Sequence, residues 1–173
     1  MTLIIKNRAV VEDSWTVVRA ADDGALPEVA ALPAGKVIVP LALWQGSRDA
    51  LVAAKGRDEL GVWLAPDSEP ADLANDFDRL ALIGVDFPVF RDGRGYSIAR
   101  LLRERYGYNG ELRAIGDVLR DQLLYLERCG FDAFAVRADK DIQDALNAFG
   151  EFTIKYQGAV DDPTPLFRRR AAA

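Results

Sequence analysis

Two short stretches carry most of the groups able to hold or polarise a ligand. Residues 91–97 read RDGRGYS, and residues 116–122 read GDVLRDQ. In the first, Arg91 and Arg94 flank Gly93, with Asp92, Gly95 and Ser97 beside them. Guanidinium forks suit carboxylate, phosphate and sulfate groups, and glycines let a backbone approach such groups closely. The helical pattern IARLLRERYG follows. A helix starting near Ser97 would aim unpaired N–H groups and a partial positive charge at the same spot. These features predict a cradle for a dianion. The competing reading is a charged turn in which Asp92 or Ser97 caps the helix and Arg94 pairs with Asp92 or Asp117. In the second stretch, Gly116 and Asp117 precede a helix carrying Arg120, Asp121 and Gln122 in its first turn. Turn chemistry makes Asp117 an N-cap before it makes it a general base. Tyr96, Tyr106 and Tyr108 bring hydroxyls to the same region but also fit simple packing.

Several chemistries are excluded by what the 173 residues lack. There is no histidine and a single cysteine, Cys129. Histidine-dependent triads, nearly all catalytic zinc sites, paired-thiol redox motifs and cysteine-held iron–sulfur clusters are therefore ruled out. Gly93-Arg94-Gly95 is not a dinucleotide fingerprint, because position 98 is Ile where close helix packing demands Gly or Ala. No phosphate-binding G-x-x-x-x-G-K-[ST] run occurs. A formal charge of −5 argues against nucleic acid. The charge is uneven: from Arg91 to Arg128, eight Arg face six acidic residues, a local +2 that leaves −7 elsewhere. No window approaches a membrane span and the N-terminus has no apolar run of signal-peptide length, so the expectation is a reduced, cytoplasmic protein.

The surrounding elements follow from periodicity. TLIIKNRAVVEDSWTVV alternates like an antiparallel hairpin over residues 1–19, and the Ala-, Pro- and Gly-rich residues 20–35 connect it onward. Residues 36–160 then repeat strand and helix: KVIVP, LGVWLAP, ALIGVDFPVF, ELRAIG and FDAFAVR are strands, each followed by a helical stretch. One of those helices is DSEPADLANDFDRL. The strands are apolar nearly throughout, which means burial on both faces and a parallel sheet. The fold expected is α/β: about five strand–helix units forming an open sheet or partial (βα) barrel, preceded by a β-hairpin packed on that domain. Residues 161–173 form a Pro-broken tail.

Parallel sheets and barrels bind ligands at the carboxyl ends of their strands. The residues there are Asp67, Asp86, the Arg91–Arg94 loop, Gly116-Asp117 and Arg137. Both chemical stretches thus belong on the functional rim.

Residues 87–134, FPVFRDGRGYSIARLLRERYGYNGELRAIGDVLRDQLLYLERCGFDAF, resemble a proteobacterial family of uncharacterised proteins labelled as oxidoreductases of sulfite reduction. The resemblance extends more weakly to the preceding units and to PLFRRR at 165–170. Its motif residues are Asp92, Gly93, Arg94, Gly95, Tyr96 and Ser97, then Arg113, Gly116, Asp117, Arg120, Asp121 and Gln122. It implies a place in assimilatory sulfate and sulfite reduction. Three readings stay open. An accessory protein would bind an oxyanion or phosphate-bearing ligand at these stretches and act with a pathway enzyme. A flavin- or nicotinamide-dependent oxidoreductase would orient an anionic substrate with Arg94 and Arg120 and move protons with Asp117 or Tyr96. A structural homodimer or interaction module would use the Arg-rich helices as its interface. The residues specify no cofactor and no metal.

Overall fold

A computed structural model of the chain describes residues 2–170. Its eight described strands are β1 (Thr2–Lys6), β2 (Ala9–Asp13), β3 (Trp15–Val17), β4 (Lys36–Pro40), β5 (Leu60–Leu64), β6 (Leu82–Phe87), β7 (Glu111–Gly116) and β8 (Ala133–Phe134). The helices are α1 (Leu41–Lys55), α2 (Arg94–Arg100, continued by a π-turn to Arg105), α3 (Arg120–Arg128), α4 (Ile142–Leu146) and α5 (Leu166–Arg170). Among the described residues, no helix is long and apolar enough to cross a membrane.

All eight strands form one sheet in the order β2-β1-β8-β7-β6-β5-β4-β3. Strands β3 to β8 run parallel, and β4 to β8 do so as their two-sided apolar sequences lead one to expect. The sheet as a whole is mixed, which corrects the purely parallel expectation. Its N-terminal hairpin, turned at Asn7 and Arg8 in left-handed conformations, joins the sheet through β1, antiparallel to β8. The third segment of the presumed hairpin is not part of it: β3 pairs in parallel with β4.

This topology has a geometric consequence. Strands β2 and β3 stand at opposite edges of the sheet, yet only Ser14 separates them. Adjacent Cα atoms are about 3.8 Å apart, so the edges must come together there and the sheet curls into a half-barrel. Each strand then has an outer face under the helices and an inner, concave face. Val37, Val39, Val62, Ile83, Val85, Phe87, Leu112 and Ala114 join the outer core with Trp44, Leu51, Ile98, Leu102, Leu123 and Leu126. Inside, space is tight: a Cβ on Gly84 would lie 3.1 Å from Trp63 Cβ and 3.6 Å from both Ile115 and Ile38.

The inner face also buries charge. Arg113 is 2 % exposed and donates to Asp13 at 2.9 Å and to Glu111 at 2.8 Å. Asp13 also accepts the Trp15 N–H at 3.2 Å, so its carboxylate spans the one-residue seam.

Two further departures have local causes. The helix expected over DSEPADLANDFDRL is two 3₁₀ turns, Pro70–Leu73 and Phe77–Arg79. Between them Asp76 is drawn inward, accepting from Trp44 Nε1 at 3.0 Å and pairing with Arg48 at 2.9 Å. That anchor serves a buried indole N–H at the expense of helical continuity. The last strand shrinks to Ala133–Phe134. Of the C-terminal tail, residues 171–173 lie outside the described residues.

Removing one partner of a buried ion cluster strands the others. Arg113→Ala should therefore lower unfolding free energy by about 3–5 kcal/mol in denaturant titration. Substitution of the exposed Arg100, paired with Glu104 at its own i+4 position, should change it by less than about 1 kcal/mol.

Candidate functional site

Where the parallel strands end, a cleft of about 430 Å³ opens, lined by Arg19, Asp86, Phe87, Pro88, Gly116, Asp117 and Arg137. Strand polarity builds it: Asp86 and Phe87 end β6, Gly116 ends β7, and Arg137 follows β8. Gly116 has φ +94°, and a Cβ there would come within 2.4 Å of the Phe87 carbonyl oxygen and 2.8 Å of Asp86 Oδ1. Only glycine lets β7 turn out so close to β6.

Two guanidinium groups face this cleft. Arg19 grips the buried Asp86 through both terminal nitrogens, at 2.7 and 3.2 Å, and lies over the Trp63 ring at 5.2 Å. The Asp86 hydrogen bonds push the Arg19 pKa upward. Arg137 bonds Asp139 through Nε and Nη2, at 2.6 and 3.0 Å, and Asp117 through Nη1, at 2.7 Å. Asp139, then Asp117, raises its pKa, while Arg137 holds the Asp139 carboxyl well below the usual range. The cleft thus presents oriented cations, each already matched by carboxylate.

The structure ties the second stretch to the backbone of Phe90, the residue directly before the first. Asp117 Oδ2 accepts the Phe90 N–H at 3.0 Å, and Gln122 Nε2 donates to the Phe90 carbonyl at 3.2 Å. Asp117 does not cap α3, which starts only at Arg120. Leu119 holds the cap position and donates its N–H to Gln122 Oε1 at 2.9 Å. Gln122 therefore ties the rim loop to the helix start.

The other candidates around this rim are engaged locally. Arg94 forks onto Asp92 at 3.0 and 2.7 Å, and its N–H reaches the same carboxylate at 3.2 Å. That pairing holds the Asp92 carboxyl below its usual range. Helix α2 begins at Arg94 rather than near Ser97, directly after Gly93. Gly95 serves packing, since a Cβ there would sit 2.6 Å from Phe87 Cζ. Tyr96 lies against Phe87 and Tyr125, with ring centroids at 5.4 and 5.2 Å, and burial raises its hydroxyl pKa. Arg91, Ser97 and Asp121 are exposed. Arg120 bridges Asp144 and Glu151 at 2.9 and 2.8 Å beside a second concavity, of about 580 Å³, between α3 and α4. Arg113 is buried on the inner face and does not line the cleft. Cys129 is half-buried, and burial pushes its thiol pKa up, so little thiolate exists near neutral pH.

Of the predicted site residues, Gly116 and Asp117 line the cleft, and Asp86 and Arg137 join them from the strand-end positions. Sequence reasoning missed Arg19. Its signal was Trp15–Val18, an apolar run directly before it: read as a parallel strand beside β4, that run would have carried Arg19 to the same rim.

Residues 61–167 match the model of a family described as a bacterial protein of unknown function, DUF934. No curated protein and no solved structure matches the chain. The matched span contains Asp86, Gly116, Asp117 and Arg137, but not Arg19.

If Asp117 fixes the rim loop, Asp117→Ala should speed hydrogen exchange of the Phe90 amide at least ~10-fold and cost about 1–3 kcal/mol of stability. Asp117→Asn, which keeps an acceptor oxygen, should leave that amide slow.

Proposed function

This chain belongs to that bacterial family of unknown function, DUF934, and we propose that it binds a small phosphate- or sulfate-bearing metabolite in the cleft above Gly116. In this reading it is an accessory protein of assimilatory sulfate and sulfite reduction. The pathway part rests on the family resemblance carried by residues 87–134. The ligand part rests on one observation: Arg19 and Arg137 border a single cleft of about 430 Å³ at the strand ends. That volume falls in the usual range for small-molecule sites.

The charge balance narrows the ligand class. Arg19 and Arg137 are already held by Asp86, Asp117 and Asp139. A bare oxyanion would compete with those carboxylates for the guanidinium forks and offer them nothing in exchange. A phosphate or sulfate ester that also carries hydroxyl or amino groups can give donors to Asp86 and Asp117 while its anion meets the arginines. Arg19, pinned over Trp63, loses little further side-chain freedom on binding. Arg94 and Arg120 support the rim through their own acidic partners and are not ligand contacts in this reading.

A thermal-shift panel of sulfite, sulfate and adenylyl sulfate tests the proposal. Adenylyl sulfate at about 100 times its Kd should raise Tm by roughly 5–10 °C, with little response to the inorganic ions. Arg137→Ala should weaken that binding at least ~10-fold, whereas Arg94→Ala should not. No shift with any of the three, or full affinity in Arg137→Ala, would sink the reading.

A further inference from the structure

On the exposed side of α3 lies a surface that the ligand reading does not use. Asp121, Tyr125 and Arg128 are four and three residues apart and so share one helix face. The segment 151–157 runs alongside that face from one end of α3 to the other. Its start is tied down by Arg120 to Glu151 at 2.8 Å, and its end by Arg128 to the Gln157 carbonyl at 2.6 Å. Between helix and strap is a groove of about 310 Å³. Tyr125, Phe152 and Ile154, which line it, are 58 %, 63 % and 70 % exposed. Single exposed apolar residues are ordinary, but three large ones in one groove mark an interaction site.

Charge says what covers it. The groove is polar along its length: Asp121 and Glu151 stand at the end where α3 begins, and Arg128 at the end where α3 finishes. A second copy related by a two-fold axis across the groove would run the opposite way. Its basic end would then meet the acidic end of the first copy, twice over, with the aromatic and aliphatic side chains meeting in the middle. Self-complementarity of this kind is the requirement of an isologous interface. It also overcomes a general obstacle, since two copies each carrying a formal charge of −5 repel unless their contact is locally balanced. The three apolar side chains alone would cover on the order of 350 Å² per copy, nearly half of the ~800 Å² per partner in a standard interface. Their charged neighbours supply a rim.

We infer that the α3–strap groove is a two-fold homodimer interface in which Asp121 and Glu151 of one copy face Arg128 of the other. This inference is independent of the ligand cleft, whose walls it does not include.

Sedimentation and light scattering of the full chain over a concentration series provide the test, with far-UV circular dichroism to verify folding of each variant. The wild type should run at twice the monomer mass. Ile154→Asp, at a position 70 % exposed, should fold normally and weaken the dimer at least ~30-fold. Asp121→Arg alone and Arg128→Glu alone should each weaken the dimer at least ~10-fold, because positions 121 and 128 would then oppose like charges at both ends. An equimolar mixture of the two should recover a dimer, since each copy now complements the other. A wild type that stays monomeric to about 100 µM would overturn the inference, as would a dimer indifferent to Ile154→Asp. A mixture that remains monomeric would overturn the antiparallel seating on which it rests.

Discussion

Asp13 sits at the point where the polypeptide passes from one edge of the sheet to the other. Its carboxylate holds the Trp15 N–H on the far side of Ser14 and the guanidinium of Arg113 from the middle of β7. Burying such a pair costs desolvation, so its contribution is better understood as fixing geometry than as adding net stability. What it fixes is curvature. With the edges drawn together, the sheet gains a concave interior that Trp63, Ile38 and Ile115 fill around Gly84. The same closure sets β3 beside β4, and the parallel register continues with the Val18 N–H on the Ile38 carbonyl. Trp63 Nε1 then donates to the Val18 carbonyl at 2.8 Å. The next residue along is Arg19, delivered to Asp86. The seam at one end of the half-barrel and the cleft at the other are therefore parts of one construction.

Charge at the rim follows a consistent pattern. The local excess of Arg between residues 91 and 128 does not become a basic patch, because acidic partners arrive from several elements. Asp92 takes Arg94, Asp144 and Glu151 take Arg120, and Asp132 takes Arg103. At the cleft, Asp86 and the Asp117–Asp139 pair do the same for Arg19 and Arg137. Such pairing orients planar donors without leaving them unsatisfied, and it favours a ligand that can address both signs of charge. The rim loop itself is held through peptide groups rather than side-chain charge. Asp117 and Gln122 grip both polar groups of Phe90, which makes the GDVLRDQ stretch a support for RDGRGYS.

Much of this was legible in the residues. Apolar runs at regular spacing located β4 to β8, and strand polarity alone put Asp86, Gly116, Asp117 and Arg137 at one rim. The two stretches rich in Arg, Asp and Gly were expected on one rim; Asp117 and Gln122 of the second hold Phe90, the residue before the first, and no residue of 91–97 lines the cleft. Other features were hidden. The capping role assigned to Asp117 passed to Gln122, because a carboxylate close to Arg137 and the Phe90 N–H has stronger claims than its own helix. The helix expected after β5 gave way to 3₁₀ turns because Asp76 was needed by Trp44 and Arg48.

The division has a physical origin. Periodicity and turn chemistry act over windows of a few residues, so the sequence alone determined the positions of β4 to β8, the two-sided burial of those strands and the residues at their carboxyl ends. Which acid each arginine takes depends on how the sheet curves. Arg19 reaches Asp86 across 67 positions, and Arg113 reaches Asp13 across 100. Those pairings, the seam at Ser14 and the walls of the cleft exist only once the two opposite edges of the sheet have been brought together.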